Sequence, residues 1–88
     1  MKVTVIGSHL CSDTLYALDR LREKKTEIEF KDLSASLADL KDYLALRETE
    51  PEYEAVRASG GIGIPFFITE AGVKTMDLDK ALGQLKRV

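Results

Sequence analysis

A chain of 88 residues makes one domain, residues 1–88, with room for one small core and no second one. Its 13 basic and 15 acidic side chains leave a net charge of −2, and Lys and Arg are scattered, which excludes the basic patch of a nucleic-acid binder. One Cys excludes an internal disulfide, and one Cys with one His excludes a Cys-rich zinc site.

Val3, Val5 and Ile6 predict a buried strand over residues 2–6. After the Gly7-Ser8 break, Leu15, Leu18, Leu21 and Arg22 trace one face of a helix from Ser12 to Lys25, with Lys24 and Lys25 complementing the negative end of its dipole. From Glu27 to Lys31, Ile28 and Phe30 alternate with charged residues, the pattern of a half-buried strand. Ser36, with Asp39 three residues later, caps a second helix whose apolar side is Leu37, Leu40 and Leu44 and which stops near Glu48.

Thr49-Glu50-Pro51-Glu52 reads as a new start, with a Thr cap and Pro in the first turn, for a short helix carrying Tyr53, Ala55 and Val56. Gly60, Gly61 and Gly63 end that helix. Gly60-Gly61-Ile62-Gly63 lacks the Lys-Ser/Thr of a phosphate loop and precedes a strand, so it reads as a loop. Residues 66–69 are the next strand, 70–72 a turn and 73–75 a return strand. Asp77 then caps a last helix with Leu78, Ala81, Leu82 and Leu85 on one face.

This α/β order, βα–βα(α)–ββα, predicts a four-stranded mixed sheet with helices on both faces. Its first two strands are parallel and its late hairpin is antiparallel. Tyr43, Tyr53, Phe66 and Phe67 are expected in the core. No stretch approaches a signal sequence or a membrane span, so a cytoplasmic location is expected.

Cys11 stands between the end of a buried strand and the start of a helix, where backbone N–H groups and the helix dipole stabilise a thiolate. A free thiol with a pKa of about 8.5 is only ~3% ionised at pH 7, and helix N-termini bring such values to roughly 3.5–7.5. Asp13 disfavours a thiolate beside it, whereas a protonated His9 favours one. The Thr14 hydroxyl, one helical turn on, is a donor to the sulfur.

Cys11 at the first strand–helix junction, the start Met1-Lys2-Val3-Thr4-Val5-Ile6-Gly7-Ser8 and Gly61-Ile62-Gly63-Ile64-Pro65 give the chain a resemblance to the glutaredoxin branch of the thioredoxin fold. It is similar to small bacterial glutaredoxin-related proteins with an extra helical segment before the proline strand, here about Asp42 to Ser59. The resemblance implies a thioredoxin-like, glutaredoxin-type βαβαββα fold with that helical segment ahead of a cis-Pro strand. Cys11 matches the nucleophilic cysteine and Pro65 the cis-proline that faces it. Ile64 matches the residue whose backbone pairs with the cysteinyl part of glutathione. Three positions depart from the pattern. Thr14 replaces the resolving cysteine of Cys-x-x-Cys, Ser8 replaces a lysine, and Thr75-Met76 replaces a Gly-Gly turn that Asp77 follows.

The implied activity is that of a monothiol thiol–disulfide oxidoreductase working through a Cys11 mixed disulfide. Cys11 and Thr14 are its catalytic positions, and His9, Ser12, Ile64, Pro65 and Asp77 its substrate-binding positions. No metal or organic cofactor is expected, with glutathione or another low-molecular-weight thiol as co-substrate. The expected partners are glutathione or S-thiolated protein disulfides, with no nucleic acid and no membrane, and the chain as a monomer. The alternative is a redox-inactive thioredoxin-fold binding or sensor module.

Overall fold

The computed structural model describes residues 2–84. The elements in chain order are β1 (Lys2–Gly7), α1 (Ser12–Glu23), β2 (Glu27–Asp32) and α2 (Leu37–Thr49), then a single 3-10 turn (Pro51–Tyr53), α3 (Glu54–Ser59), β3 (Phe66–Thr69), β4 (Lys74–Thr75) and α4 (Leu78–Gln84). They form one four-stranded mixed sheet in the order β2-β1-β3-β4. β1 runs parallel to β2 and antiparallel to β3, and β3–β4 is an antiparallel hairpin. The chain thus has the expected mixed α/β architecture.

Because successive strand side chains point to opposite faces, β1 and β3 supply two half-cores. Val3, Val5 and Phe67 pack with Ala17, Leu18 and Leu21 of α1 and with Ala81 and Leu82 of α4. On the other face Ile6 and Phe66 pack with Tyr43 and Tyr53, joined by the half-buried Leu40, Leu46 and Val56. The Phe66-Phe67 pair is split between the two faces. Tyr53 stacks at a tilt on Phe66, ring centroids 4.9 Å apart, and meets Tyr43 edge-on at 6.1 Å. The helical stretch from α2 to α3 is therefore the lid of the second half-core.

Local capping agrees with the sequence in part. Ser36 Oγ accepts from the Asp39 N–H at 3.2 Å, and Asp39 Oδ2 turns to the Asp32 N–H at 3.2 Å, tying α2 to the end of β2. Asp77 Oδ1 accepts from the N–H groups of Asp79 (2.9 Å) and Lys80 (3.3 Å), as an N-cap does.

Other local expectations need correction. α1 ends at Glu23, and Lys25 takes a left-handed φ of 55°, so Arg20 and Arg22 are the basic residues of its last turn. α2 runs on through Thr49, whose hydroxyl donates to the Ala45 carbonyl instead of capping the 3-10 turn. That turn starts from Glu50 without a side-chain cap. The joint is closed instead by Arg57, whose Nη1 donates to the carbonyl oxygens of Arg47 (2.6 Å) and Glu50 (3.1 Å).

Leu15, Leu37 and Leu44, expected on apolar faces, are exposed, while Thr14 and Ala17 of α1 and Tyr43 of α2 are buried. Each helix sits rotated so that small or aromatic side chains meet the sheet. Leu85 lies outside the described residues. Among those residues no helix is long and apolar enough to cross a membrane.

Candidate functional site around Cys11

β1 and β2 end side by side, with Gly7 opposite Asp32. Beyond Gly7 the chain folds into a tight turn. Ser8 Oγ accepts from the Leu10 N–H at 3.0 Å, and the Ser8 carbonyl accepts from the Cys11 N–H at 3.0 Å. Cys11 has extended backbone angles (φ −102°, ψ 118°), and its carbonyl accepts from the Leu15 N–H at 3.1 Å, so the thiol stands at the N-cap of α1. It is half-buried and free.

The Cys11 pKa is lowered from that of an ordinary thiol. A hydrogen bond from the Thr14 hydroxyl does most of this, against a partial desolvation that favours the neutral thiol. The N–H groups of Thr14 and Asp13 add to the stabilisation, and the Asp13 carboxylate works against it. Thr14 is fully buried, and its Oγ1 also lies 3.4 Å from the Ser8 N–H. It reaches there because position 7 is glycine. A Cβ on Gly7 would fall 2.5 Å from Thr14 Oγ1 and 2.6 Å from its methyl carbon.

The structure divides the remaining sequence-derived positions. Ile64 lines a groove of about 260 Å³ together with Cys11, Leu10, Leu33 and Ile62. Ser8 and Ser34, hydrogen-bonded to each other through their hydroxyls, complete its wall. Ile64 N–H and C=O have no backbone partner among the described residues. The Ile64–Pro65 peptide is cis. Pro65 borders a second depression on the other side of Ile64, with Asp13, Tyr16, Ala17, Met76 and Leu78.

Ser12 is exposed in the first turn of α1. The His9 ring is held by Asp32, Nδ1 to Oδ2 at 2.7 Å, and the His9 N–H approaches Asp32 Oδ1 at 3.4 Å. Burial alone would raise the Asp32 pKa. The His9 ring and the Ser34 and His9 N–H groups outweigh it and hold the carboxylate below its usual range. Asp77 lines neither depression. Its side chain caps α4, and its own N–H donates to Thr75 Oγ1 at 3.0 Å, so the turn in place of Gly-Gly is closed internally.

Residues that the sequence does not single out also shape the groove. Leu33 and Ser34 arrive because β2 is parallel to β1, and a pair of adjacent parallel strands delivers the loops at their C-terminal ends to one edge of the sheet. Ile62 is held by the helical lid. The carbonyl oxygen of Gly61 accepts from Arg47 Nε (3.2 Å) and Nη2 (2.8 Å), that of Ile62 from the Tyr43 hydroxyl, and that of Gly63 from the Tyr53 hydroxyl at 2.8 Å. Gly63 has a φ of 74°, and a Cβ there would lie 2.6 Å from the Tyr53 ring. Burial pushes both tyrosine pKa values up, which keeps the hydroxyls as donors. Among the described residues no three His, Cys, Asp or Glu side chains gather as a metal site requires.

No family model matches the chain. An uncharacterized protein of Haemophilus influenzae is 34% identical to it over 82 residues, covering 90% of this chain and 92% of that protein. No solved structure matches.

Proposed function

The chain belongs to one family with this Haemophilus influenzae protein, which is described only as uncharacterized, and we propose that it is a glutaredoxin-like, monothiol thiol–disulfide oxidoreductase. The observation that carries this reading is that the Cys11 thiol, its pKa lowered at a helix N-terminus, shares a groove with the unpaired backbone groups of Ile64. A strand order of β2-β1-β3-β4 with helices on both faces supports a thioredoxin-like, glutaredoxin-type fold.

In this mechanism the Cys11 thiolate attacks one sulfur of a substrate disulfide. A new S–S bond forms to Cys11, the old one breaks, and the leaving thiolate takes a proton from water. Thr14 stabilises the attacking thiolate by its hydroxyl hydrogen bond. It has no sulfur with which to resolve the mixed disulfide, so an external thiolate, from glutathione or another low-molecular-weight thiol, displaces Cys11. The pair of electrons that reduces the substrate comes from that external thiol, so no organic cofactor is needed. Exchange of this kind suits a reducing cytoplasm, with the chain acting as a monomer on S-thiolated proteins.

A second reading, a binding or sensor module without turnover, is favoured by the closed Thr75–Asp77 turn and by Ser8, which is tied to Ser34 where glutaredoxins carry a lysine. Mass spectrometry after incubation with oxidised glutathione and with an S-thiolated peptide separates the two. A mixed disulfide on Cys11 that an added thiol releases supports the enzyme. Absence of any adduct leaves the module.

A further inference from the structure

We propose that the disulfide attacked by Cys11 is carried on an extended, apolar and non-acidic segment of a protein rather than on glutathione. This deepens the thiol-exchange reading and rests on it. Leu10, Leu33, Ile62 and Ile64 line the groove beside the thiol, and its two other wall residues, Ser8 and Ser34, are uncharged and hydrogen-bonded to each other. Among the described residues no charged side chain lines it. Leu10 is 78% exposed and Ile62 58% exposed, so two large apolar side chains on the rim stand in water until something covers them.

Glutathione brings two carboxylates and one ammonium group, and each needs a partner when desolvated. The carboxylates near this thiol are of the wrong sign for two of those three groups: Asp13 comes two residues after Cys11, and Asp32 holds the ring of His9. The Arg47 guanidinium, on the lid behind the loop, already donates two bonds to Gly61. A peptide segment meets a different surface. Its backbone can pair with the N–H and C=O of Ile64 by strand addition. Side chains on either side of its cysteine then have a depression each, one walled by Leu10 and Ile62, the other by Tyr16, Pro65 and Met76. Asp13 borders the second depression and favours Lys or Arg there over Asp or Glu.

In the exchange, the Cys11 thiolate attacks the protein sulfur of protein–S–S–R, giving Cys11–S–S–protein and the thiolate of R, which is protonated by water. A low-molecular-weight thiolate attacks the Cys11 sulfur and frees the protein thiol. A second such thiolate releases Cys11 and leaves as the oxidised disulfide.

The test uses the full reduced chain and three probes that share one coloured leaving group, 2-nitro-5-thiobenzoate. It is attached to glutathione, to a Cys peptide flanked by Leu, Val and Lys, and to the same peptide flanked by Glu. The apolar peptide is expected to react about tenfold faster than either acidic probe. Leu10→Ser and Ile62→Ser should slow the apolar peptide severalfold more than they slow the two acidic probes. Glutathione reacting as fast as the apolar peptide, or a serine variant that slows all three probes equally, overturns the proposal and leaves thiol exchange standing. If no probe reacts faster than with an unstructured cysteine peptide, the exchange reading itself falls, and the proposal with it.

Discussion

The Tyr53 hydroxyl donates to the carbonyl oxygen of Gly63 at 2.8 Å, joining the lid of the second half-core to the loop that carries Ile62 and Ile64 into the Cys11 groove. The same ring closes the space beside Gly63, where a Cβ would lie 2.6 Å from it. Packing and site geometry are therefore one feature here. The lid formed by α2 and α3 holds three successive carbonyls, Gly61 to Gly63, and so sets the position of the groove wall.

Tyr53→Phe keeps the ring and removes the donor, leaving the Gly63 carbonyl without its partner. A loss of roughly 1–3 kcal/mol is expected in urea unfolding. Gly63→Ala combines a positive φ with overpacking against Tyr53, and on the order of 2–4 kcal/mol is expected. A Gly63→Ala protein as stable as the parent would show that the ring does not constrain this loop.

Removing the Thr14 hydroxyl should raise the Cys11 pKa, since that hydrogen bond is the largest influence lowering it. Thr14→Val preserves shape and should move the pH midpoint of alkylation upward, toward a free cysteine at about 8.5. Thr14→Ser restores a hydroxyl and should keep most of the depression. Equal midpoints in the parent and Thr14→Val would remove the hydroxyl from the account.

The lowered Cys11 pKa also has a sign in stability. A group whose pKa is depressed on folding contributes stability that is fully present above the unfolded value and is lost as pH falls through the folded value. Between those two values the parent should gain stability with rising pH relative to Cys11→Ser. Thermal unfolding of the pair across that interval checks it, and parallel pH profiles would contradict it.

Gly7→Ala should disturb Thr14, because the new Cβ would meet Oγ1 at 2.5 Å and the methyl carbon at 2.6 Å. A stability loss of about 1–3 kcal/mol is expected, with slower alkylation of Cys11. Gly7→Ala with Thr14→Ala relieves the clash, so the double variant should be less destabilised than the sum of the two singles. Additive losses would mean that the two positions do not press on each other.

Oxidation of the pure protein should give mixed disulfides or dimers bridged through Cys11, visible on non-reducing gels, and Cys11→Ser should give neither. Any disulfide product from Cys11→Ser would sink the single-thiol mechanism.

Local pattern determined much of this protein from the sequence by itself. The apolar run in residues 2–6 and the alternation in 27–31 marked two strands, Ser36 and Asp77 marked two helix starts, and the break at Gly7-Ser8 put Cys11 at the head of a helix. Thr14 was legible as a partner of the thiol because residues three apart in a first turn are neighbours. These features depend on backbone periodicity and on bonds between residues close in sequence, and such interactions are written in composition and spacing.

Tertiary structure decided the rest. Leu15, Leu37 and Leu44 look like core residues by spacing and are exposed, because the rotation of each helix was set by Ala17, Thr14 and Tyr43 fitting against the sheet. His9 found Asp32, and Ser8 found Ser34, only through the parallel register of β1 and β2, across 23 and 26 residues of chain. The groove wall at Ile62 depends on side chains of α2 and on Tyr53 bonding the carbonyls of a distant loop. Carbonyl oxygens are the same at every residue, so nothing in the sequence marks which of them a buried tyrosine will hold. Only folding the lid onto the sheet selects them.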